Sequence, residues 1–135
     1  MRIVVRIGLV LLAVIQVGTG IWMQFFPESF YNDFPTVDLT PPFSEHLMRD
    51  FGGMSLGLGV VIAAAAVWMQ RRLVLIALAA YLVYSVPHLV FHLGHLHDAS
   101  DLDVWFIVLT LGGSVVLPFV VLVLATRLPA PDPAE

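Results

Sequence analysis

Four long apolar segments limit what this chain can fold into. They cover residues 3–26, 50–69, 73–93 and 104–125. Each reaches the roughly 20 residues that a helix needs to cross a bilayer core about 30 Å thick. Lipid cannot hydrogen-bond free peptide groups, and the segments lack the alternating pattern of barrel strands. The sequence therefore predicts an all-α protein, a four-transmembrane-helix antiparallel bundle, in which the segments form the first to fourth predicted helices.

Composition agrees with this class of protein. In a chain of 135 residues, 59% are hydrophobic and only 12% are charged, which is more apolar surface than a soluble globule could bury. We expect one membrane domain over residues 1–135, with outer loops at about residues 27–44 and 94–103 and a tail at 127–135. The formal net charge of −4 argues against a nucleic-acid partner, so the lipid bilayer is the first expected partner. The chain has no cysteine, which excludes disulfides and thiolate metal sites.

The arginines predict an orientation. Five of the six lie at the start of the first helix, after the fourth, or between the second and third: Arg2, Arg6, Arg71, Arg72 and Arg127. Cytoplasmic loops carry an excess of basic residues. We therefore expect a multi-pass protein of the bacterial inner membrane, with both termini in the cytoplasm and a tight turn at residues 71–72.

Histidines are concentrated near the end of the third predicted helix. The stretch "PHLVFHLGHLHD", residues 87–98, holds four of the five histidines. At about 100° per residue, Tyr84, His88, His92 and His95 share one side of a helix. This spacing indicates a polar stripe on an otherwise apolar segment.

A second polar group lies at the start of the second predicted helix, in "SEHLMRD", with Ser44 as the expected N-cap. A short turn makes the second and third helices neighbours, so the two polar groups can face each other. The candidate ligand-binding residues are Glu45, His46, Arg49, Asp50, Tyr84, His88 and His92.

Three interpretations of these residues stay open. In the first, the charges neutralise one another at the membrane surface, and the histidines hydrogen-bond loop carbonyls. In the second, a metal ion is held by imidazoles, with Glu45 or Asp50 as an acid/base group of a small membrane enzyme. The candidate metal ligands are His46, His88, His92 and His95. In the third, a lipid, a quinone or another small molecule occupies a pocket in the outer leaflet.

A haem site is a further alternative, because His46 together with His88 or His92 could supply two axial ligands. Standard catalytic motifs are absent from the sequence. It contains neither H-E-x-x-H nor G-x-S-x-G, and five histidines are too few for the several histidine boxes of membrane di-iron enzymes. Binding is therefore favoured over independent catalysis.

Small residues indicate how the helices pack. The stretch "GMSLG", residues 53–57, is a literal G-x-x-x-G, a pattern that lets membrane helices approach closely. We expect it to serve packing within the chain before any homodimer.

The motifs together resemble a known group of proteins. A first helix ending in W-x-x-x-F-P, then "PFSEHLMRDFGGMSLGLG" and a third helix closing on "PHLVFHLGH", is similar to small four-helix actinobacterial membrane proteins that are distantly DoxX-like. The resemblance implies the fold and topology, and no reaction. Since DoxX is linked to a quinone oxidoreductase subunit, the resemblance also implies a redox accessory role. Separately, we expect a homo-oligomer or a larger membrane complex as a candidate assembly.

Overall fold

The computed structural model describes residues 1–39, 42–97 and 99–129. Its helices are α1 (Arg2–Phe25), α2 (Pro27–Asp33), α3 (Glu45–Trp68), α4 (Arg71–Leu93) and α5 (Asp101–Ala125), with a 3₁₀ turn at Val37–Leu39. The first to fourth predicted helices correspond to α1, α3, α4 and α5. Residues 40–41 and 98 of the expected outer loops, and 130–135 of the expected tail, lie outside the described residues.

Four of these helices, α1, α3, α4 and α5, are long and apolar enough to cross a membrane, at 23 to 25 residues each. Over the described ranges the chain is all-helical and contains no strand. The prediction of an all-α, multi-pass membrane protein is confirmed at this level.

Capping residues explain where the helices begin. The Ser44 hydroxyl accepts a hydrogen bond from the Leu47 backbone N–H (3.4 Å), which confirms Ser44 as the N-cap of α3. Ser100 and Asp103 form a reciprocal capping box at the start of α5. Since α3 begins at Glu45, the polar stretch ahead of the apolar segment is helical as well.

The connection between α3 and α4 consists of Met69 and Gln70. Met69 adopts a left-handed conformation (φ 53°), and its N–H bonds to the Ala65 carbonyl, which ends α3. The tight turn that the sequence predicts at residues 71–72 therefore lies at 69–70. Arg71 and Arg72 already belong to the first helical turn of α4.

The four long helices form a ring in the order α1, α3, α4, α5. The closest packing joins α1 to α3 and α4 to α5, whereas α3 with α4 and α1 with α5 approach over a smaller area. Among the described residues, the backbones of α1 and α4 do not approach one another, nor do those of α3 and α5. The bundle therefore consists of two tight helix pairs.

The hydrophobic core occupies one end of this ring. It combines the first half of α1, the last turns of α3, the first half of α4 and the end of α5, with Leu9, Ile62, Leu78, Val121 and Ala125 among its buried members. Side chains from all four long helices meet there, so the two helix pairs are held together at this end.

A short aromatic segment covers the opposite end. Phe30 of α2 stacks on Phe34 (ring centroids 5.0 Å apart), and Trp22 packs edge-on against both. Phe34 also contacts Phe106 of α5 at 5.9 Å. Segment 27–39 thus closes the bundle from above the end of α1, and we call it the cap.

Candidate functional site

A cavity of about 400 Å³ lies inside the helix ring, between the core and the cap. Ligand pockets in proteins usually have volumes of about 300–1,000 Å³. Its walls come from all four long helices and from the cap, including Ile15, Met23, Phe34, Phe51 and Leu111. The buried core side chains fill the helix ring only at its opposite end, which leaves this space beneath the cap.

Three predicted site residues line this cavity: Tyr84, His88 and His92. They follow one another along α4 at helical spacing. Tyr84 stacks on His88 with ring centroids 5.4 Å apart, and His88 meets His92 edge-on at 4.8 Å. Phe51 of α3 adjoins the same column, 5.7 Å from Tyr84 and 6.4 Å from His88. The column forms a wall of aromatic and polar rings.

The polar atoms of these rings have no hydrogen-bond partner among the described residues. Within the described ranges, no group hydrogen-bonds to the rings of His88 and His92 or to the Tyr84 hydroxyl. A polar group at membrane depth is costly unless it is hydrogen-bonded. The three side chains therefore offer donors and acceptors to whatever fills the cavity.

The structure adds polar residues that sequence reasoning missed. Gln16 of α1 is buried, lines the cavity, and donates a hydrogen bond through Nε2 to Ser55 of α3 (3.1 Å). Thr19 and Ser114 also line the cavity, and each donates its hydroxyl to a carbonyl of its own helix. A lone amide within an apolar segment was the available signal, since polar residues inside a membrane helix are rare.

The polar group at the start of α3 lies elsewhere. Arg49 pairs with Glu45 (2.8 Å) and also donates a hydrogen bond to the Gln24 carbonyl at the end of α1. His46 contacts Asp50 at 3.2 Å, with their side chains 88% and 60% exposed. None of Glu45, His46, Arg49 and Asp50 lines the cavity. The structure therefore does not bring the two predicted polar groups together.

The four candidate metal ligands also occupy different places. His95 follows the end of α4, where its ring is exposed, stacks on Phe91 and hydrogen-bonds through Nδ1 with the Phe91 carbonyl (2.7 Å). Only His88 and His92 face the cavity. Over residues 1–39, 42–97 and 99–129, no three His, Cys, Asp or Glu side chains converge as metal ligands would. Of the predicted haem ligands, His46 is exposed on the outer surface, whereas His88 and His92 line the cavity.

A smaller cavity of about 220 Å³ adjoins the first between α3 and α4. The two cavities share Gln16, Phe51 and Tyr84. The smaller one is also lined by Met54, whose side chain is 71% exposed on the outside of the bundle. The Phe51–Tyr84 pair therefore stands between the inner cavity and the outer surface of α3 and α4.

A family model described as Domain of unknown function (DUF4345) matches residues 4–125. The chain belongs to the DUF4345 family. No curated protein and no solved structure matches it. The region shared with DUF4345 contains nearly all of the four long helices, the cap and every residue named above as lining the cavity. The candidate site is thus part of the domain that defines the family.

Proposed function

We propose that this protein is a membrane-embedded binding or accessory protein that holds a small, mostly apolar molecule in the cavity beneath the cap. A lipid or a quinone-like compound is the kind of ligand that the bilayer can supply. The observation that supports the proposal is an apolar cavity inside the bundle that is lined by three polar rings without hydrogen-bond partners among the described residues: Tyr84, His88 and His92. Pockets that bind small molecules usually pair an apolar lining with a few polar groups.

The proposal moves the site relative to the sequence-based hypothesis. It keeps the residues of α4 and replaces the polar group of α3 with the aromatic face at Phe51 and with Gln16 of α1. Glu45, His46, Arg49 and Asp50 then act at the membrane surface, where their pairing with one another and with Gln24 supports a structural role. The metal-dependent enzyme has less support, because no three metal ligands converge among the described residues. The haem-binding subunit has less support because His46 is exposed on the outer surface while His88 and His92 line the cavity.

We further propose an antiparallel bundle in the bacterial inner membrane, with both termini and the α3–α4 connection in the cytoplasm. Five of the six arginines lie at this end, and cytoplasmic loops carry such an excess. Contacts of Arg6 with Ala66 and of Arg49 with Gln24 support opposite directions for α1 and α3. The ligand site then lies in the outer leaflet. Partners in a homo-oligomer or a larger membrane complex, and the distant DoxX-like relationship, stay proposals that rest on the sequence motifs.

Native mass spectrometry of the protein released from nanodiscs tests the binding proposal. We expect the wild-type chain to carry a bound small molecule. Ser114→Phe places a phenyl ring in the cavity. It should lower the occupancy of the bound molecule about tenfold, because ring and ligand together would overpack the cavity at a cost of about 1–3 kcal/mol. Val116→Phe is the matched control, since Val116 lies on the same helix but is 60% exposed on the outside. A wild-type protein without any bound molecule, or equal occupancy in both variants, would contradict the proposal.

A further inference from the structure

The cavity is free of formal charge on its described walls. Its lining contains Gln, Thr, Ser, Tyr and His side chains, and none of the described lining residues is Asp, Glu, Lys or Arg. Four charged residues adjoin lining residues in the sequence and do not line the cavity themselves: Asp33, Asp38, Arg49 and Asp50. A charged ligand would be desolvated there without a counter-ion, which is unfavourable. The walls therefore favour an uncharged occupant.

Aromatic side chains are concentrated on the cavity. The chain has nine Phe, three Tyr and three Trp, fifteen in all, and seven of these fifteen line it. Five of the seven form two groups. Phe30, Phe34 and Phe106 lie at the cap, while Phe51 and Tyr84 lie beside His88. Aromatic rings pack favourably with other rings in offset or edge-on contacts, so a planar ring can interact with several of them at once.

Flexible apolar chains match these walls less well than rings do. A chain with many rotatable bonds loses conformational freedom when it is confined, whereas a rigid ring has little to lose. The volume of about 400 Å³ is also small for a lipid with two acyl chains. Size, rigidity and wall chemistry point to the same class of molecule.

We infer that the cavity takes an uncharged planar ring compound that carries a hydroxyl or carbonyl group. The ring packs against Phe51 and the aromatic residues of the cap, and the polar group hydrogen-bonds with His88. This inference rests on the proposed binding function and specifies the ligand class of the same site. His88 is chosen because its ring lies between those of Tyr84 and His92, within the aromatic column.

Four probe molecules test separately whether the ligand needs a planar ring, a hydrogen-bonding group and the absence of charge. The protein in lipid nanodiscs is dialysed to equilibrium against 2-naphthol, naphthalene, naphthalene-2-sulfonate or 1-decanol, and uptake by empty nanodiscs is subtracted. We expect 2-naphthol to bind most tightly, naphthalene to bind about three- to tenfold more weakly for want of one hydrogen bond, and the anionic sulfonate to show no binding above background. The flexible alcohol should bind more weakly than 2-naphthol.

The variant His88→Phe keeps a ring of similar size and removes its hydrogen-bonding nitrogens. It should weaken 2-naphthol binding about three- to tenfold and leave naphthalene binding unchanged, which a merely structural defect would not do. His95→Phe is the matched control, because His95 is exposed, follows the end of α4 and does not line the cavity. Should His88→Phe fail to fold, His88→Leu, which also removes the ring nitrogens, replaces it with the same comparison of probes.

Each binding result that differs from these expectations refutes one feature of the inferred ligand. Equal binding of 1-decanol and 2-naphthol would refute the ring class, and equal binding of the sulfonate would refute the requirement for an uncharged ligand. An equal loss of both ring probes in His88→Phe would refute the hydrogen bond. If no probe binds while native mass spectrometry shows a bound molecule, this inference fails and the proposed binding function stands. If neither method shows binding, both fail.

Discussion

Arg49 links two helices through a single side chain. Its guanidinium pairs with Glu45 one turn earlier in α3 and donates a hydrogen bond to the Gln24 carbonyl at the end of α1. The last carbonyls of a helix lack partners within the helix and carry partial negative charge, so a cation there is stabilising. Asp50, the next residue, contacts only His46 at an exposed position among the described residues.

Replacing these neighbours should therefore have different effects. We expect Arg49→Gln to lower the free energy of unfolding by about 1 kcal/mol, a value kept small because the Arg49 side chain is 41% exposed. Asp50→Asn should leave it within about 0.5 kcal/mol of wild type. Unfolding by SDS titration, followed by circular dichroism, measures both. A larger effect at Asp50 than at Arg49 would show that the contact with α1 is unimportant.

The position of each histidine relative to the end of α4 decides whether its side chain faces the cavity or is exposed. All four in residues 87–98 look alike in the sequence. His88 and His92 face the cavity, while His95 and His97 come after the end of α4 and are exposed. Helical spacing placed Tyr84, His88, His92 and His95 on one side of a helix. Since α4 ends at Leu93, the structure brings only the first three of them to the cavity.

Close packing of α1 on α3 depends on glycines, although not on those of the literal motif. A Cβ atom added at Gly52 would lie 2.6 Å from the Gln24 backbone nitrogen, and one at Gly59 would lie 2.7 Å from a Val17 side-chain carbon. Gly57 has nothing within 4 Å of such an atom, and Gly53 has only ordinary contact with Gln24. The side of α3 that contacts α1 therefore contains Gly52 and Gly59. The expected Gly53–Gly57 pair lies on a different side of the helix.

This difference leads to a prediction for two alanine substitutions. Gly52→Ala should lower the free energy of unfolding by about 1–3 kcal/mol. The new methyl group would clash with the backbone of α1, which can shift only if the whole helix shifts. Gly57→Ala should leave it unchanged or raise it by up to about 1 kcal/mol, since alanine is the better helix former. SDS titration of both variants measures the difference. A stable Gly52→Ala protein together with an unstable Gly57→Ala protein would mean that α3 presents its other face to α1.

The whole molecule is packed unevenly along its length. One end is filled by side chains from four helices, and the other holds the cavity beneath the cap. Membrane helices gain stability mainly from van der Waals contact with one another, since lipid already solvates their apolar faces. A firmly packed end can therefore hold the bundle together while the opposite end keeps an internal space.

The proposed orientation is tested by labelling, which the absence of native cysteine makes simple. We expect a cysteine at Asp33 or Asp101 to react with a membrane-impermeant maleimide on intact cells. A cysteine at Gln70, in the α3–α4 connection, should react only after permeabilisation. All three positions are exposed, so reactivity reports the side of the membrane. Labelling of Gln70→Cys on intact cells would reverse the proposed topology.

Fold class could be predicted from the sequence because it depends on local properties. About 20 consecutive apolar residues require a helix in lipid whatever their neighbours are, and Ser44 caps α3 through a bond to a residue three positions away. The polar stripe of Tyr84, His88 and His92 is local in the same way. Which groups face that stripe depends on the rotation of α3 about its own axis, and the contacts of Gly52 and Gly59 with α1 set that rotation. Only the tertiary structure could therefore show that Phe51 and Gln16 share the cavity with the histidines. The residues that the sequence predicts there lie elsewhere: Glu45, His46, Arg49 and Asp50.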